Sequence, residues 1–241
     1  MVLIIGLRHD IDTVYGFRWG LPKVVSLEEK YDVRSTFFVR VDVLRSDKDC
    51  HVLRRIVDRG WETGLHLINT INDSRLPSPR GELELLRKLI GVPVYGVTPC
   101  GTTIGWKGDV TWRTMDSLGL EYMEGYRAPD FSVKTLVMPT HLSFDIYYVR
   151  NFGEEEGYRR FRKDLLNKLR ENGLATVLVH PEWLVRSVGG RGLMKIPLTL
   201  LRRKMMNKVY ERFLCEFKGK VEFKKYVDLF HSLVGRSLKG R

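Results

Sequence analysis

The chain has 241 residues, of which 43% are hydrophobic and 29% are charged. No apolar run reaches the ~18 residues that a membrane-spanning helix needs, so the sequence predicts no such helix. The first residues lack the charged and long apolar segments of a secretory signal, and we predict a cytoplasmic protein. Chains of this length can form one large α/β domain, and we predict a single domain over residues 1–241.

The formal net charge of +12 is concentrated in the C-terminal quarter of the chain. Residues 184–241 carry 15 Lys and Arg against 4 Asp and Glu, a net charge of +11, and residues 1–183 carry only +1. Such asymmetry indicates an anionic partner, either a nucleic acid or a membrane surface. A merely solvated basic face is the alternative.

The three cysteines are Cys50, Cys100 and Cys215. They are far apart, odd in number and form no CxxC pair, so neither a disulfide framework nor a thiolate zinc site is indicated. We predict free thiols in a reducing compartment.

Short apolar runs alternate with helical patterns along most of the chain. Strands are predicted over residues 2–7, 35–39, 63–67, 94–98, 120–123, 145–149, 175–179 and 221–223. Helices are predicted over residues 21–31, 50–60, 80–91, 109–119, 156–173 and 198–214. Continuous apolar strands that are each followed by a helix indicate a parallel sheet with a covered outer face, and seven or eight such units favour a barrel.

In that architecture the active site lies where the strands end. Asp10 and Asp12 alternate across Ile11, so an extended backbone points both carboxylates to one side. One carboxylate could bind a metal while the other accepts a proton, or the two could form a structural pair with Arg8. His66 and His180 lie at the ends of two later strands, and either one alone could be a packed histidine. Together, three such strand ends favour a functional site.

These residues resemble a known family. The segments GLRHDIDT, STFF, WETGLHL and LVHP, in this order and spacing, are similar to the polysaccharide deacetylase superfamily (NodB-type, carbohydrate esterase 4). Within it the match is closest to the deformylases of undecaprenyl-phosphate formamido-arabinose, and it covers most of residues 3–183. Further matching blocks are GWKGDV (105–110), EGYRAPDF (124–131), TLVMPTHLSFD (135–145) and LVHPEW (178–183). The resemblance implies a distorted (β/α)7-type barrel of mostly parallel strands.

The resemblance also implies roles for individual residues. Asp10 would be the catalytic base and His180 the general acid that protonates the departing amine. Asp12 and His66 would bind a divalent metal, with zinc the expected ion. The substrate-binding residues would be Trp106, Lys107 and Arg127.

The sequence departs from the family at one metal-binding position. The family has a second histidine four residues after the first, and here Thr70 stands there. Catalytic zinc sites usually have three protein ligands and one open position, so Asp12 and His66 alone are an incomplete set. Three possibilities follow: His141, Asn69 or Asp73 completes the site, the metal binds weakly, or the protein works without one.

The resemblance therefore predicts an amide hydrolase that removes a formyl or acetyl group from an N-acylated sugar. The sugar would be attached to a polyprenyl phosphate at the cytoplasmic face of the membrane. The alternatives are a deacetylase of a soluble amino sugar or another amide, and a catalytically inactive barrel that binds a glycan.

Residues 197–214 form a basic amphipathic pattern that is typical of a helix in the headgroup region of an anionic membrane. The same pattern also fits the last helix of the barrel with its apolar side on the core. Nucleic acid is the least favoured partner, because the aromatic residues of this region fall largely on apolar faces.

Overall fold

The computed structural model describes residues 2–101, 106–185 and 196–239, with only the backbone described for 196–205 and 235–239. Within these residues, no helix is both long and apolar enough to cross a membrane. The chain folds into two compact units. The first unit comprises Met1–Ser35 and His141–Lys224, and the second comprises Thr36–Thr140 and Lys225–Arg241.

Parallel strands and the helices between them make up both units. The strands are β1 (Ile4–Ile11), β2 (Thr36–Val39), β3 (Glu62–Leu67), β4 (Gly96–Pro99), β5 (Tyr122–Gly125), β6 (Leu136–Pro139), β7 (Leu142–Ser143), β8 (Leu174–Val179) and β9 (Glu222–Lys224). The helices are α1 (Leu21–Lys30), α2 (Asp47–Asp58), α3 (Pro79–Ile90), α4 (Asp109–Asp116), α5 (Arg150–Phe152), α6 (Glu154–Asn172), α7 (Pro181–Val185), α8 (Ile196–Phe217) and α9 (Tyr226–Lys239).

In the first unit, β1 lies between β8 and β9, and β7 pairs with the other side of β8. Every residue of β1 is buried, which explains its unbroken apolar start. The register aligns Ile4 with Leu174 and His9 with Val179. The carboxyl ends of β1 and β8 therefore lie side by side.

Aromatic side chains form the core beside these strands. The ring of Phe161 on α6 packs edge-on against Phe144 at 4.8 Å and against Phe213 of α8 at 5.2 Å. The buried residues of α8 from position 206 onward are Met206, Val209, Tyr210, Phe213, Leu214 and Phe217. Over this stretch α8 is a core helix, as one of the two sequence interpretations proposed. Leu198, Leu201 and the other side chains before position 206 lie outside the described residues.

In the second unit the strand order is β6-β5-β4-β3-β2, and all pairs are parallel. Helix α9 is fixed to this sheet through its first turn. The backbone N–H of Tyr226 donates to Thr36 Oγ1 at 2.8 Å, and that of Val227 donates to the buried Glu62 carboxylate at 2.9 Å. These two contacts satisfy N–H groups that a helix start otherwise leaves open.

The predicted fold class, an α/β fold of parallel strands of the distorted (β/α)7-barrel type, is confirmed. The predicted strand over residues 145–149 is wrong, because Phe144–Val149 form a wide π-helical turn. The buried residues there are Phe144, Asp145, Tyr148 and Val149. Burial at four-residue spacing is typical of a helix. The nearly continuous apolar run in the sequence instead resembles a buried strand.

Candidate active site

The first unit places Asp10, Asp12 and His180 at the adjacent carboxyl ends of β1 and β8. Asp10 is the penultimate residue of β1, and Asp12 and His180 directly follow their strands. The Nε2 atom of His180 lies 3.8 Å from Asp12 Oδ2. Asp10 and His180 are buried, and Asp12 is partly exposed. Parallel pairing of two strands thus brings together groups that are about 170 residues apart in the sequence.

Asp145 holds the His180 ring in place. The carboxylate of Asp145 accepts hydrogen bonds from the backbone N–H of His180 and from Nδ1, which lies 3.1 Å from Oδ1. The π-helical turn that replaces the predicted strand puts this side chain beneath the end of β8. With Nδ1 bound to a carboxylate, Nε2 is the nitrogen that faces Asp12.

The electrostatics of this group favour a protonated His180. Burial works to lower the pKa of the imidazole, but Asp145 first, then Asp10 and Asp12, outweigh it and raise the pKa to about 9. At neutral pH the ring is therefore an imidazolium that can donate a proton.

Asp10 is the second side chain at these strand ends that could take part in proton transfer. One oxygen, Oδ2, accepts from the Arg8 guanidinium at 3.1 Å, and both side chains are almost fully buried. The other oxygen, Oδ1, is buried and has no hydrogen-bond partner within the described part of the chain. A buried carboxylate oxygen is costly to leave without a partner, so Oδ1 is available to accept a proton from a ligand.

The second unit contributes His66 and Cys100. His66 is the fifth residue of β3, and Cys100 directly follows β4. Their ligand atoms lie within 4.8 Å of each other, and both residues are buried. Imidazole nitrogen and thiolate sulfur are donors that suit zinc and similar ions, so this pair fits the implied metal.

The residues that we considered as substitutes for the missing histidine have other partners. Asn69 uses both ends of its amide, since Nδ2 donates to the carbonyls of Asp73 and Pro77 and Oδ1 accepts from the Asp73 N–H. The Asp73 carboxylate pairs with Arg75 at 2.6 Å, which lowers the pKa of Asp73 to about 2. These two residues fix the loop after β3.

His141 has a structural contact in the first unit. Its Nδ1 accepts from the backbone N–H of Thr176 at 3.0 Å. Thr176 lies four residues before His180 along β8, roughly 13 Å away at the rise of an extended strand. His141 therefore lies far from the end of β8.

Thr70 occupies the position of the absent histidine. It is fully buried, and its Oγ1 has no hydrogen-bond partner within the described ranges. A threonine side chain is shorter than a histidine side chain, so the Thr70 hydroxyl cannot extend as far as the imidazole that the family has at this position.

Two of the three predicted substrate-binding residues are exposed cationic side chains, Lys107 and Arg127. Trp106 is 41% exposed, and its ring packs edge-on against the buried Trp112 at 5.5 Å. All three lie in the second unit, and Trp106 follows a gap in the described residues. All three side chains are thus exposed to solvent.

Sequence reasoning missed two residues of these clusters, Asp145 and Cys100. Asp145 lies in a segment that is predicted to be a strand, and no signal in the sequence places it beside His180. Cys100 lies at the end of a strand, as His66 and His180 do, and that shared position is an available signal. It was interpreted as a free thiol because it has no nearby cysteine partner.

No protein-family model matches the chain. In sequence the chain is 22% identical over 233 residues to a probable 4-deoxy-4-formamido-L-arabinose-phosphoundecaprenol deformylase of Shewanella sediminis, covering 74% of this chain and 75% of that protein. This relative agrees with the resemblance that the motifs carry.

Solved structures resemble the chain over nearly its whole length. A probable polysaccharide deacetylase of Pseudomonas aeruginosa matches with a TM-score of 0.64 and 17% identity, covering 95% of this chain and 89% of that one. A family 4 acetyl xylan esterase of Clostridium thermocellum, solved with a cobalt ion, matches with a TM-score of 0.56 and 17% identity, covering 96% and 92%. The chain thus resembles the polysaccharide deacetylases, and at these identities the structural likeness concerns the fold.

Proposed function

We propose that the protein is an amide hydrolase that removes a formyl or acetyl group from an N-acylated sugar. The observation that carries the proposal is the pairing of a protonated, buried His180 with the carboxylates of Asp10 and Asp12 at one strand edge. A proton donor and a proton acceptor side by side are what hydrolysis of an amide requires. The deformylase and deacetylase relatives support this reaction class.

Asp10 would act as the base. Water attacks the amide carbonyl carbon, and its proton passes to Asp10, whose Oδ1 has no other partner in the described structure. Arg8, bound to Oδ2, keeps the carboxylate oriented. A new C–O bond forms in this step.

His180 would act as the acid. The C–N bond breaks as the imidazolium donates its Nε2 proton to the nitrogen, so that a neutral amine leaves instead of a strongly basic anion. Asp145 holds the ring and stabilises its charged form until the transfer. The products are formate or acetate and the free amino sugar, and the two residues then exchange protons with solvent.

A divalent ion, which we expect to be zinc, would be held by Asp12 and His66 and would polarise the carbonyl and acidify the attacking water. The structure supports this assignment through the donor chemistry near His66 and through the partial exposure of Asp12. Trp106, Lys107 and Arg127 would bind the sugar and its anionic carrier.

The finer proposal is that the sugar is linked to a polyprenyl phosphate and that the protein binds the cytoplasmic membrane face peripherally. Its support is the lipid-linked substrate in the name of the Shewanella relative, a probable deformylase, and the net charge of +11 over residues 184–241. A soluble amino sugar is the alternative substrate.

The test is hydrolysis of a panel of N-formyl and N-acetyl amino sugars, free and polyprenyl-phosphate-linked, by protein loaded with Zn²⁺ or Co²⁺. Release of formate or acetate is measured, and Asp10→Asn and His180→Ala should each lower kcat by about 10²-fold or more. Matched controls are Asp58→Asn and His51→Ala, two exposed residues of α2. Full activity in either site variant would contradict the mechanism. Absence of hydrolysis with every member of the panel would favour the inactive glycan-binding barrel.

A further inference from the structure

Cys100 occupies a strand-end position beside His66. Its backbone N–H donates to the carbonyl of Leu67 at 2.8 Å, so the β3–β4 pairing continues one residue beyond β4. In that pairing His66 is aligned with Thr98 and Leu67 with Pro99. The extended pairing fixes the Cys100 thiol at the same sheet edge as the His66 ring, and both side chains are at most 1% exposed.

The separation of the two donors fits one metal ion. Bond lengths of about 2.3 Å to sulfur and about 2.0 Å to nitrogen put the donors of a tetrahedral zinc site roughly 3.5 Å apart. The His66 and Cys100 ligand atoms lie within 4.8 Å of each other, a range that includes this value. The Arg40 guanidinium lies 3.8 Å from Cys100 Sγ. This positive charge is complementary to a sulfur that must be a thiolate to bind metal.

The candidate substitutes for the missing histidine have other partners or lack reach. Asn69 and Asp73 are used within their loop, and His141 is bonded to Thr176. Thr70 lacks the reach of the histidine that the family pattern predicts. The buried Cys100 thiol lies beside His66, the histidine of the His-x3-His pattern that is present.

We propose that the Cys100 thiolate is a protein ligand of the divalent metal and replaces the second histidine of the His-x3-His pattern. The replacement ligand comes from the neighbouring strand β4, whereas the missing one would have come from the loop after β3. This inference rests on the proposed function for the metal itself and names the ligand that completes it. A sulfur donor also favours Zn²⁺ and Co²⁺ over Mg²⁺ and Mn²⁺.

The experiment is a Co²⁺ titration of metal-free protein followed by absorption spectroscopy. Thiolate ligation gives an intense near-ultraviolet sulfur-to-cobalt charge-transfer band, which nitrogen and oxygen ligands do not give. We expect the band to saturate at one equivalent and to disappear in Cys100→Ser, whose Co²⁺ affinity should fall by more than about 10-fold. The controls are Cys50→Ser, which removes another buried thiol, and Cys215→Ser, which removes an exposed one.

X-ray absorption of the unsubstituted zinc-loaded protein provides a measurement that does not depend on the folding of Cys100→Ser. One sulfur neighbour at about 2.3 Å from zinc is expected. A shell of nitrogen and oxygen alone, a cobalt band that survives in Cys100→Ser, or failure to bind cobalt would each overturn the inference.

The outcomes separate this inference from the proposed function. Amide hydrolysis by a metal-loaded protein without a sulfur signal would retain the function and reject Cys100 as a ligand. A clear sulfur signal without hydrolysis of any sugar amide would retain the ligand and reject the function.

Discussion

At the scale of single residues, the proposed chemistry depends on how the protein keeps the buried His180 imidazole protonated. His180 would lose its charge on burial if it stood alone, because desolvation lowers the pKa of a histidine. Asp145 contacts it directly and is the strongest of the three carboxylates that reverse the effect. Asp145, which accepts the hydrogen bond from Nδ1, thus favours the form of His180 that also carries a proton on Nε2.

We predict that Asp145→Asn moves the pH profile of kcat and lowers kcat by at least about 10-fold, since the general acid loses its orientation and charge partner. The pKa of His180 is raised to about 9, so the proton donor is present below that value and is lost as the pH rises through it. Removing the Asp145 charge lowers this pKa, and the alkaline limb should shift to lower pH. The measurement is kcat and KM against pH.

The matched control is Asp164→Asn, which alters a hydrogen bond to Tyr148 in the same unit. Its pH profile should match that of the unsubstituted protein. An unchanged alkaline limb in Asp145→Asn would show that Asp145 does not set the protonation of His180.

At the scale of elements, the position of His180 depends on how closely α1 approaches the turn after β8. A Cβ added to Gly20, which directly precedes α1, would lie 2.4 Å from the carbonyl oxygen of Pro181, the first residue of α7. The φ of Gly20 is −76°, so its backbone suits any residue and the requirement for glycine is steric. Pro181 directly follows His180, so this close packing lies at the carboxyl end of β8.

We predict that Gly20→Ala destabilises the protein by about 1–3 kcal/mol, the usual cost of overpacking, and lowers kcat by displacing His180. The measurements are chemical denaturation and initial rates. The comparison is Gly81→Ala in α3, where the added methyl meets only Ser78 Oγ at 3.1 Å. That helical substitution should stabilise by about 0.5–1 kcal/mol or be neutral. Equal effects of the two substitutions would contradict the steric argument.

At the scale of the whole molecule, the distribution of charge is the main indication of a partner. In the described part of α8, some charged side chains form ion pairs with other helices. Arg212 pairs with Glu155 of α6 at 2.9 Å, and Glu211 pairs with Lys30 of α1 at 2.5 Å. These exposed pairs contribute little to stability. The basic cluster of Arg202, Arg203 and Lys204 is known from the sequence alone. The described buried residues that make α8 a core helix all lie after this cluster, so a membrane-binding role for the cluster is compatible with them.

We predict that the protein co-sediments with vesicles that contain an anionic phospholipid and that added salt weakens this binding, because the attraction between charges is screened. Reversing Arg202, Arg203 and Lys204 to Glu should weaken vesicle binding by at least about 10-fold, since each basic residue contributes about 1 kcal/mol at an anionic surface.

Vesicles of a neutral phospholipid serve as the lipid control. The protein control carries the same reversal at Arg55, Lys88 and Lys163, three exposed residues of other helices. Equal loss of binding in both variants would indicate a general charge effect, and binding to neutral vesicles would reject the electrostatic explanation.

Much of the fold followed from periodicity in the sequence. The apolar starts of β1 and β8 and the amphipathic patterns of α2, α3 and α6 predicted their elements, because burial on both faces of a parallel strand and on one face of a helix leaves distinct repeats. The strand prediction over residues 145–149 was wrong, because a continuous apolar run does not reveal which of its residues are buried at four-residue spacing. The short strands β6 and β7 were missed, since two to four residues are too few for a repeat to be recognised.

The sequence by itself determined the strand-end groups Asp10, Asp12, His66 and His180. Active sites of this architecture lie at the strand ends, and the residues at those ends can be read directly from the sequence. Only the tertiary structure decided which groups support them. Asp145 reaches His180 across 35 residues, and Cys100 comes beside His66 through the pairing of β3 with β4. Such contacts depend on strand register and on the local path of the backbone, which no spacing in the sequence encodes.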